Sequence, residues 1–388
     1  MAKAKLLDKI KPESQGQKTL LEALLDTNKE IVGVFGPTGT GKSLLSVITG
    51  LSLVQEGKYE RLVISKPVES LRSTDNSGSR YDIDAYRRII IDYLKDLVVS
   101  VDPESTRIID EFVSLEKIII ASPYHIRGRS FDSAYVVLDD VQNLDPEVIV
   151  EVITRLGRSS KLVIAGDPVF QAHNPQNGAV LARNILKGEE SGAVVVDLGL
   201  NDIVRPGARR GVRLLLELLM RKRALDDIES RIIDSFRIHA PDADIITVVN
   251  LIDAKKTYGI NQEHVPDALV IVKPGHLGRT IGTQGKRIES VEEDTGLNLR
   301  AVELSLDFKV YFRAIHPVSW IHKHILRTDI AGSDIVVVVK KGELGPMVGQ
   351  KGYYAKFMEY FFRKVFNSGL IIYESEDESK PGKKRRKK

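Results

Sequence analysis

Cysteine is absent from the 388 residues, which excludes a disulfide framework, a thiol nucleophile and a thiolate metal site. Long apolar runs are missing as well. None approaches the roughly 18 residues that a membrane-spanning helix requires. The start, MAKAKLLDKIKPES, has a basic flank but no apolar segment of the kind found in secretory signals. A cytoplasmic protein is therefore the expectation. The eight histidines show no ligand spacing; His322 and His324 stand two apart and share no helix face. No structural zinc is expected. What remains is a globular composition, 42% hydrophobic and 28% charged, able to bury a core. The length implies two or three domains.

The net charge of +4 is unevenly spread. Residues 236–388 hold 25 Lys and Arg against 19 Asp and Glu, and Lys383–Lys388 are all basic. That tail reads as a polyanion-binding arm or as a solubilising terminus.

Apolar runs at Ile31–Phe35, Arg61–Ser65, Lys117–Ala121, Ala134–Leu138, Lys161–Ala165 and Ala193–Leu198 read as strands. Helical patterns lie between them, at Lys42–Gln55, Ala85–Leu97 and Pro146–Leu156, with Asp145 as the cap of the last. Residues 69–84 are polar and turn-rich and read as a loop. Alternating strands and helices predict an α/β domain with a mostly parallel sheet, closed by helices from Ala208 to about Phe236.

The first strand runs directly into GPTGTGKS: Gly36, Pro37, Thr38, Gly39, Thr40, Gly41, Lys42 and Ser43. Strand, glycine-rich turn and helix together form a P-loop, whose backbone N–H groups curl around phosphates. Lys42 should reach the β- and γ-phosphates of ATP, and Ser43 should hold Mg²⁺. A second Mg²⁺ anchor is expected at a strand's carboxyl end, and YVVLDD supplies Asp139. Asp140 could polarise the attacking water, although its side chain is short for that reach. In LVIAGDPVFQ, Asp167 and Gln171 could sense the γ-phosphate or form turns. Arg127, Arg129 and Arg205 lie in loops and carry the guanidinium fork suited to a transferring phosphoryl group. A solvated surface role is the alternative.

The second half contains an internal repeat at an offset of 67 residues. KPGHLGRTIGTQG begins at Lys273 and KKGELGPMVGQKG at Lys340, aligned on Lys340. Each follows an apolar strand and precedes a helix and another strand, predicting two small α+β domains. The turns are Gly282, Thr283, Gln284, Gly285 and Gly349, Gln350, Lys351, Gly352. Lys286 and Arg287 follow the first; Lys351 lies inside the second. Such turns bring backbone N–H groups and cations to a polymer phosphate. Tyr353 and Tyr354 stand where the first copy has cations; base stacking and core packing are both open to them. Trp320 reads as interdomain packing.

On GPTGTGKS, ISKP (Ile64–Pro67), IRGRSFDSAYVVLDDVQN, LVIAGDPVFQ and NDIVRPG, the chain resembles the PhoH-like ATPases over roughly Thr19–Phe236. That family is similar to the motor core of superfamily 1 helicases. The resemblance implies Lys42, Ser43 and Asp139 as ATP–Mg²⁺ residues, Asp140 as the water-activating acid, and Gln171 and Arg205 as sensors. It also implies an oligomer, a ring, and a link to RNA. This sequence departs where the family has Glu at Asp140 and Arg at Lys66. The repeat resembles KH domains, in a tandem similar to that of the transcription factor NusA, and implies single-stranded RNA as partner, with DNA the alternative. The expected domains are 1–238, 239–305 and 306–376, with 377–388 as the basic tail. The expected function is an RNA-stimulated, Mg²⁺-dependent ATPase, a helicase or translocase acting as an oligomer. The competing readings are an ATP-switched RNA-binding protein, a DNA-specific motor and a phosphotransferase for a small substrate.

Overall fold

The computed structural model describes residues 6–68, 83–125, 130–170, 177–188 and 191–375. Gln171, Arg127, Arg129, the basic tail and most of the polar loop lie outside them. Contacts divide the chain into two units, residues 1–212 with 331–333, and 213–330 with 334–388.

The first unit contains α1 (Gln15–Leu25), β1 (Ile31–Phe35), α2 (Lys42–Gln55), β2 (Arg61–Ser65), α3 (Ile83–Val101), α4 (Arg107–Ser114), β3 (Ile118–Ile120), β4 (Ala134–Leu138), α5 (Pro146–Ile153), β5 (Lys161–Gly166), α6 (Gly178–Leu186) and β6 (Val194–Asp197). Its strands form one six-stranded sheet in the order β3-β2-β4-β5-β1-β6. Every pairing is parallel.

The strands read as unbroken apolar runs because both faces are covered. The pleat sends alternate residues to opposite cores. Val32, Val34, Leu62, Ile64, Tyr135, Val137, Val163 and Ala165 join the core under α1, α2 and α3. Val63, Val136, Leu138, Leu162 and Ile164 join the one under α5 and α6. Parallel pairing brings the carboxyl ends of β1, β5 and β4 to one edge, side by side. That edge is where such sheets bind ligands.

Lys161 opens β5, yet its side chain is buried, and Nζ donates to the carbonyls of Ala23, Leu24 and Asp26 at the end of α1. It satisfies carbonyls the helix leaves unpaired. Asp145 precedes α5 but makes no side-chain cap bond, correcting that expectation.

Helix α7 (Pro206–Lys222) ends the P-loop stretch of the sequence, and α8 (Asp227–His239) is a separate helix rather than its continuation. Asp226 caps α8, accepting from Glu229 N while Glu229 Oε2 accepts from Asp226 N. This reciprocal box breaks the helical run. Within the second unit, Ile232 and Phe236 of α8 pack with Val248, Val270 and Val291. The sequence placed this helix with the preceding domain.

The second unit continues with β7 (Ile245–Asn250), α9 (Ile252–Tyr258), β8 (Ala268–Val272), α10 (Leu277–Ile281), α11 (Lys286–Thr295), β9 (Leu299–Glu303), α12 (Lys309–Ile315), β10 (Ile325–Ala331), β11 (Asp334–Val339), α13 (Leu344–Val348), α14 (Tyr353–Phe366) and β12 (Gly369–Glu374). Two three-stranded sheets result, β7-β8-β9 and β10-β11-β12. Each repeat is strand, helix, glycine-rich turn, helix, strand, as the sequence predicts. Each also has a further strand, β7 and β10, that the sequence reading omits. Trp320 is 43% exposed and packs edge-on against His324, so it is not buried packing.

Candidate functional site

The P-loop is held by contacts from its own unit. Gly39 has φ +81°, and a Cβ there would lie 2.3 Å from Ala208 Cβ, so only glycine fits. Val204 N donates to Gly39 O at 3.2 Å, docking the NDIVRPG segment on the loop and placing exposed Arg205 beside it. Gln17 Nε2 donates to Thr40 O at 3.0 Å. Lys42 is buried, and Nζ donates to the carbonyls of Gly36 (2.7 Å) and Pro37 (2.8 Å). Burial pulls its pKa down, against the attraction of Asp167, Asp139 and Asp140.

Asp139 directly follows β4 at 1% exposure. Oδ1 accepts from Ser43 Oγ at 3.1 Å and from Asp140 N at 3.0 Å. Oδ2 accepts from Tyr93 OH at 2.7 Å and from Lys66 Nζ at 3.3 Å. Burial works to raise this carboxyl's pKa, but the Lys66 charge and the Tyr93 and Ser43 hydrogen bonds outweigh it and hold it below the usual range. Lys66 is raised: burial opposes its charge, and Asp139 and Asp140 more than compensate. Tyr93 is pushed up by burial and by the neighbouring Asp139 carboxylate, so its hydroxyl stays a donor. Its ring also lies 4.9 Å beneath Lys66 Nζ.

Asp140 stands in the left-handed region, φ 53° and ψ 43°, which Asp tolerates better than most residues. Lys66 Nζ donates to its Oδ2, and Gln142 Nε2 to its Oδ1 at 3.1 Å. Gln142 Oε1 in turn accepts from Asp167 N at 3.0 Å, tying β4 to β5. Asp167 is buried; Oδ1 accepts from Val169 N and Phe170 N, while Oδ2 has no hydrogen-bond partner. Burial raises its pKa.

These residues fit a nucleotide with Mg²⁺. A hydroxyl at the start of α2 meets a carboxylate at the end of β4, a buried lysine points into the loop, and a buried carboxylate oxygen stands unpaired. Among the described residues no three His, Cys, Asp or Glu converge on a point. Ser43 and Asp139 would thus be the protein's share of the shell, with phosphate and water supplying the rest, as Mg²⁺ prefers.

The two glycine-rich turns of the second unit are nearly identical in backbone. Gly282 and Gly349 have φ/ψ of 76°/175° and 73°/172°. Gln284 and Lys351 are both left-handed, at 56°/24° and 53°/19°. Arg287 packs over Gly282 and Tyr354 over Gly349, so the second residue after each turn covers its first glycine. Arg287 is not free for phosphate: Nη1 donates to Asp242 Oδ1 (2.5 Å) and to Arg279 O (2.7 Å). Lys286 and Lys351 are exposed.

The family described as "PhoH-like protein" matches residues 9–217, more than half of the chain. The chain belongs to the PhoH-like family. A PhoH-like protein of Bacillus subtilis (strain 168) is 31% identical over 50% of this chain and 60% of its own length. One of Mycobacterium leprae (strain TN) is 32% identical over 50% of this chain and 55% of its own. The chain therefore spans little more than half the length of these curated relatives. The Sulfolobus solfataricus SWI2/SNF2 ATPase core aligns at 12% identity over 94% of this chain and 78% of that one, with a TM-score of 0.29, too low to identify fold or function.

The PhoH-like match covers Lys42, Ser43, Asp139, Asp140, Asp167 and Arg205, which stand along one sheet edge or on the loop beside it. Gln171 lies outside the described residues. The sequence reading missed Tyr93 and Gln142 as site residues, and noted Lys66 only as a departure. VQN follows the carboxylates directly, so Gln142 had a signal; Tyr93, in the middle of α3, had none. No described helix is long and apolar enough to cross a membrane.

Proposed function

We propose that this PhoH-like chain is a Mg²⁺-dependent ATPase acting on single-stranded nucleic acid, RNA before DNA, as a homo-oligomer. Its two glycine-turn modules are read as KH-type domains arranged as in NusA, with α8 packed against the first of them rather than within the expected 1–238 domain. The observation that carries the ATPase reading is the Ser43 Oγ–Asp139 Oδ1 contact between the start of α2 and the end of β4. It joins the two groups that metal-assisted phosphoryl transfer requires. Family membership supports ATP hydrolysis in the same direction.

Bound Mg²⁺ would neutralise charge building on the β- and γ-phosphates. Lys42 would exchange its two carbonyl acceptors for phosphate oxygens. The P-loop N–H groups and the start of α2 would hold the anion. Arg205, on a loop docked to Gly39, would sense the γ-phosphate. Asp140 would take the water proton once Lys66 releases it.

A second reading, an ATP-switched binding protein without unwinding, is favoured by one observation: both Asp140 oxygens are already engaged. Steady-state hydrolysis separates the two, measured without nucleic acid, with unstructured RNA and with matched DNA, using Lys42→Ala as blank. A severalfold rise with RNA, absent in the blank, supports the motor. A slow rate indifferent to RNA supports the switch. Equal turnover in the blank overturns both.

A further inference from the structure

The two glycine-rich turns have the same backbone but different chemistry around it. After the first, position one is a free cation, Lys286. After the second, position one is Tyr353, 39% exposed at the start of α14. The cation has moved into the turn itself, at Lys351. Tyr353 does not cover the turn: the half-buried Tyr354 beside it does that, lying over Gly349 and accepting from Gln262 Nε2 at 3.3 Å. The Tyr353 ring instead meets Tyr258, the last residue of α9 in the other module, with centroids 6.5 Å apart and planes inclined by 43°. Exposed Tyr353 and half-buried Tyr258 thus stand together at the seam of the two modules, directly after the turn that carries Lys351.

We propose that Tyr353, backed by Tyr258, is a stacking site for an unpaired nucleobase, so the first turn grips phosphate alone while the second grips phosphate and base. This rests on the reading above that both turns hold a strand. Lys351 fixes the backbone of the strand, and the following base lies on the open face of Tyr353. Stacking accepts any base, because each has a π-face. The site therefore selects single strands over duplex without selecting sequence.

The test is binding of a labelled RNA oligonucleotide, compared with an abasic strand of equal length, to the full chain. Tyr353→Ala should weaken binding of the intact strand about tenfold, within the range of aromatic–base stacking, and leave the abasic strand within about twofold. Tyr353→Phe should bind as the parent does. Lys351→Ala should weaken both strands. Tyr353 is exposed, and unchanged unfolding of each variant, followed by Trp320 emission, shows that the fold is kept. The proposal is overturned if Tyr353→Ala leaves the intact strand unaffected, or weakens both strands equally. If neither Lys286→Ala nor Lys351→Ala changes binding of either strand, the turns hold no strand and the reading beneath the proposal fails with it.

Discussion

Two buried carboxylates, one in each unit, are satisfied in different ways. Asp139 has three side-chain donors, Ser43, Tyr93 and Lys66, and the adjacent amide of Asp140. Glu229, fully buried, accepts from the backbone N–H of Asp226 and of Asn250, both at 3.0 Å, and pairs with Arg223 at 2.9 Å and Lys364 at 2.8 Å. Its donors come from the residue after α7, the start of α8, the end of β7 and the last turn of α14. Backbone donors cannot leave without unfolding an element, whereas side-chain donors can rotate away. A carboxylate held by hydroxyls and an ammonium can change partners during a reaction. One held by amides and two cations can only hold the scaffold together.

The largest expected effect tests the scaffold half of that contrast. Glu229→Ala leaves Arg223 and Lys364 without their buried counter-charge and two amides without an acceptor. It should lower the stability of the second unit by about 3–5 kcal/mol. Urea unfolding followed by Trp320, the sequence's one tryptophan, reads this unit. A loss below about 1 kcal/mol would show that the cluster is not what holds α8, β7 and α14 together.

His316 sharpens the contrast by pH. It is 1% exposed; Nε2 donates to Met347 O and Nδ1 accepts from Val318 N, both at 3.0 Å, which fixes the neutral ring. Burial, aided by nearby His264 and opposed by the hydrogen bond donated to Met347 O, lowers its pKa to about 4. The unfolded chain protonates near 6.5, so the folded state takes up fewer protons between the two values. The stabilisation is full above pH 6.5 and lost as pH falls towards 4, about 3 kcal/mol in all. Urea midpoints across that range should fall in the parent. They should fall less in His316→Gln, whose side chain does not titrate.

The first unit was legible because its glycine-rich motif depends on backbone. GPTGTGKS needs glycine where φ is positive and a strand and helix on either side, so the residues announce the geometry. The same reasoning located the two repeats down to their matching glycines. The unread parts depend on tertiary approach. Nothing in KLVIAG marks Lys161 as a buried cap for α1. Nothing in IDAYRRIIIDYLKDL separates Tyr93 from an ordinary helical tyrosine. In IITVVN and ILRTDIA the strand pattern was present, and the motifs nearby drew attention from it. DDIE, with Asp226 and Glu229 three apart, was likewise a readable capping box.

Tyr93 carries the smallest and most specific prediction. Its hydroxyl holds Asp139 Oδ2, leaving Oδ1 turned to Ser43. Tyr93→Phe keeps the ring beneath Lys66 and removes only that hydrogen bond, worth about 1 kcal/mol, or roughly fivefold in rate. Asp139 would still pair with Lys66 but lose its fixed orientation. If the carboxylate is positioned for chemistry, kcat should fall severalfold and half-maximal Mg²⁺ should rise, with KM for ATP nearly unchanged. A purely structural tyrosine would lower the unfolding midpoint and leave the Mg²⁺ dependence alone. That outcome would place Asp139 beside Glu229 as scaffold and erase the difference between the two carboxylates.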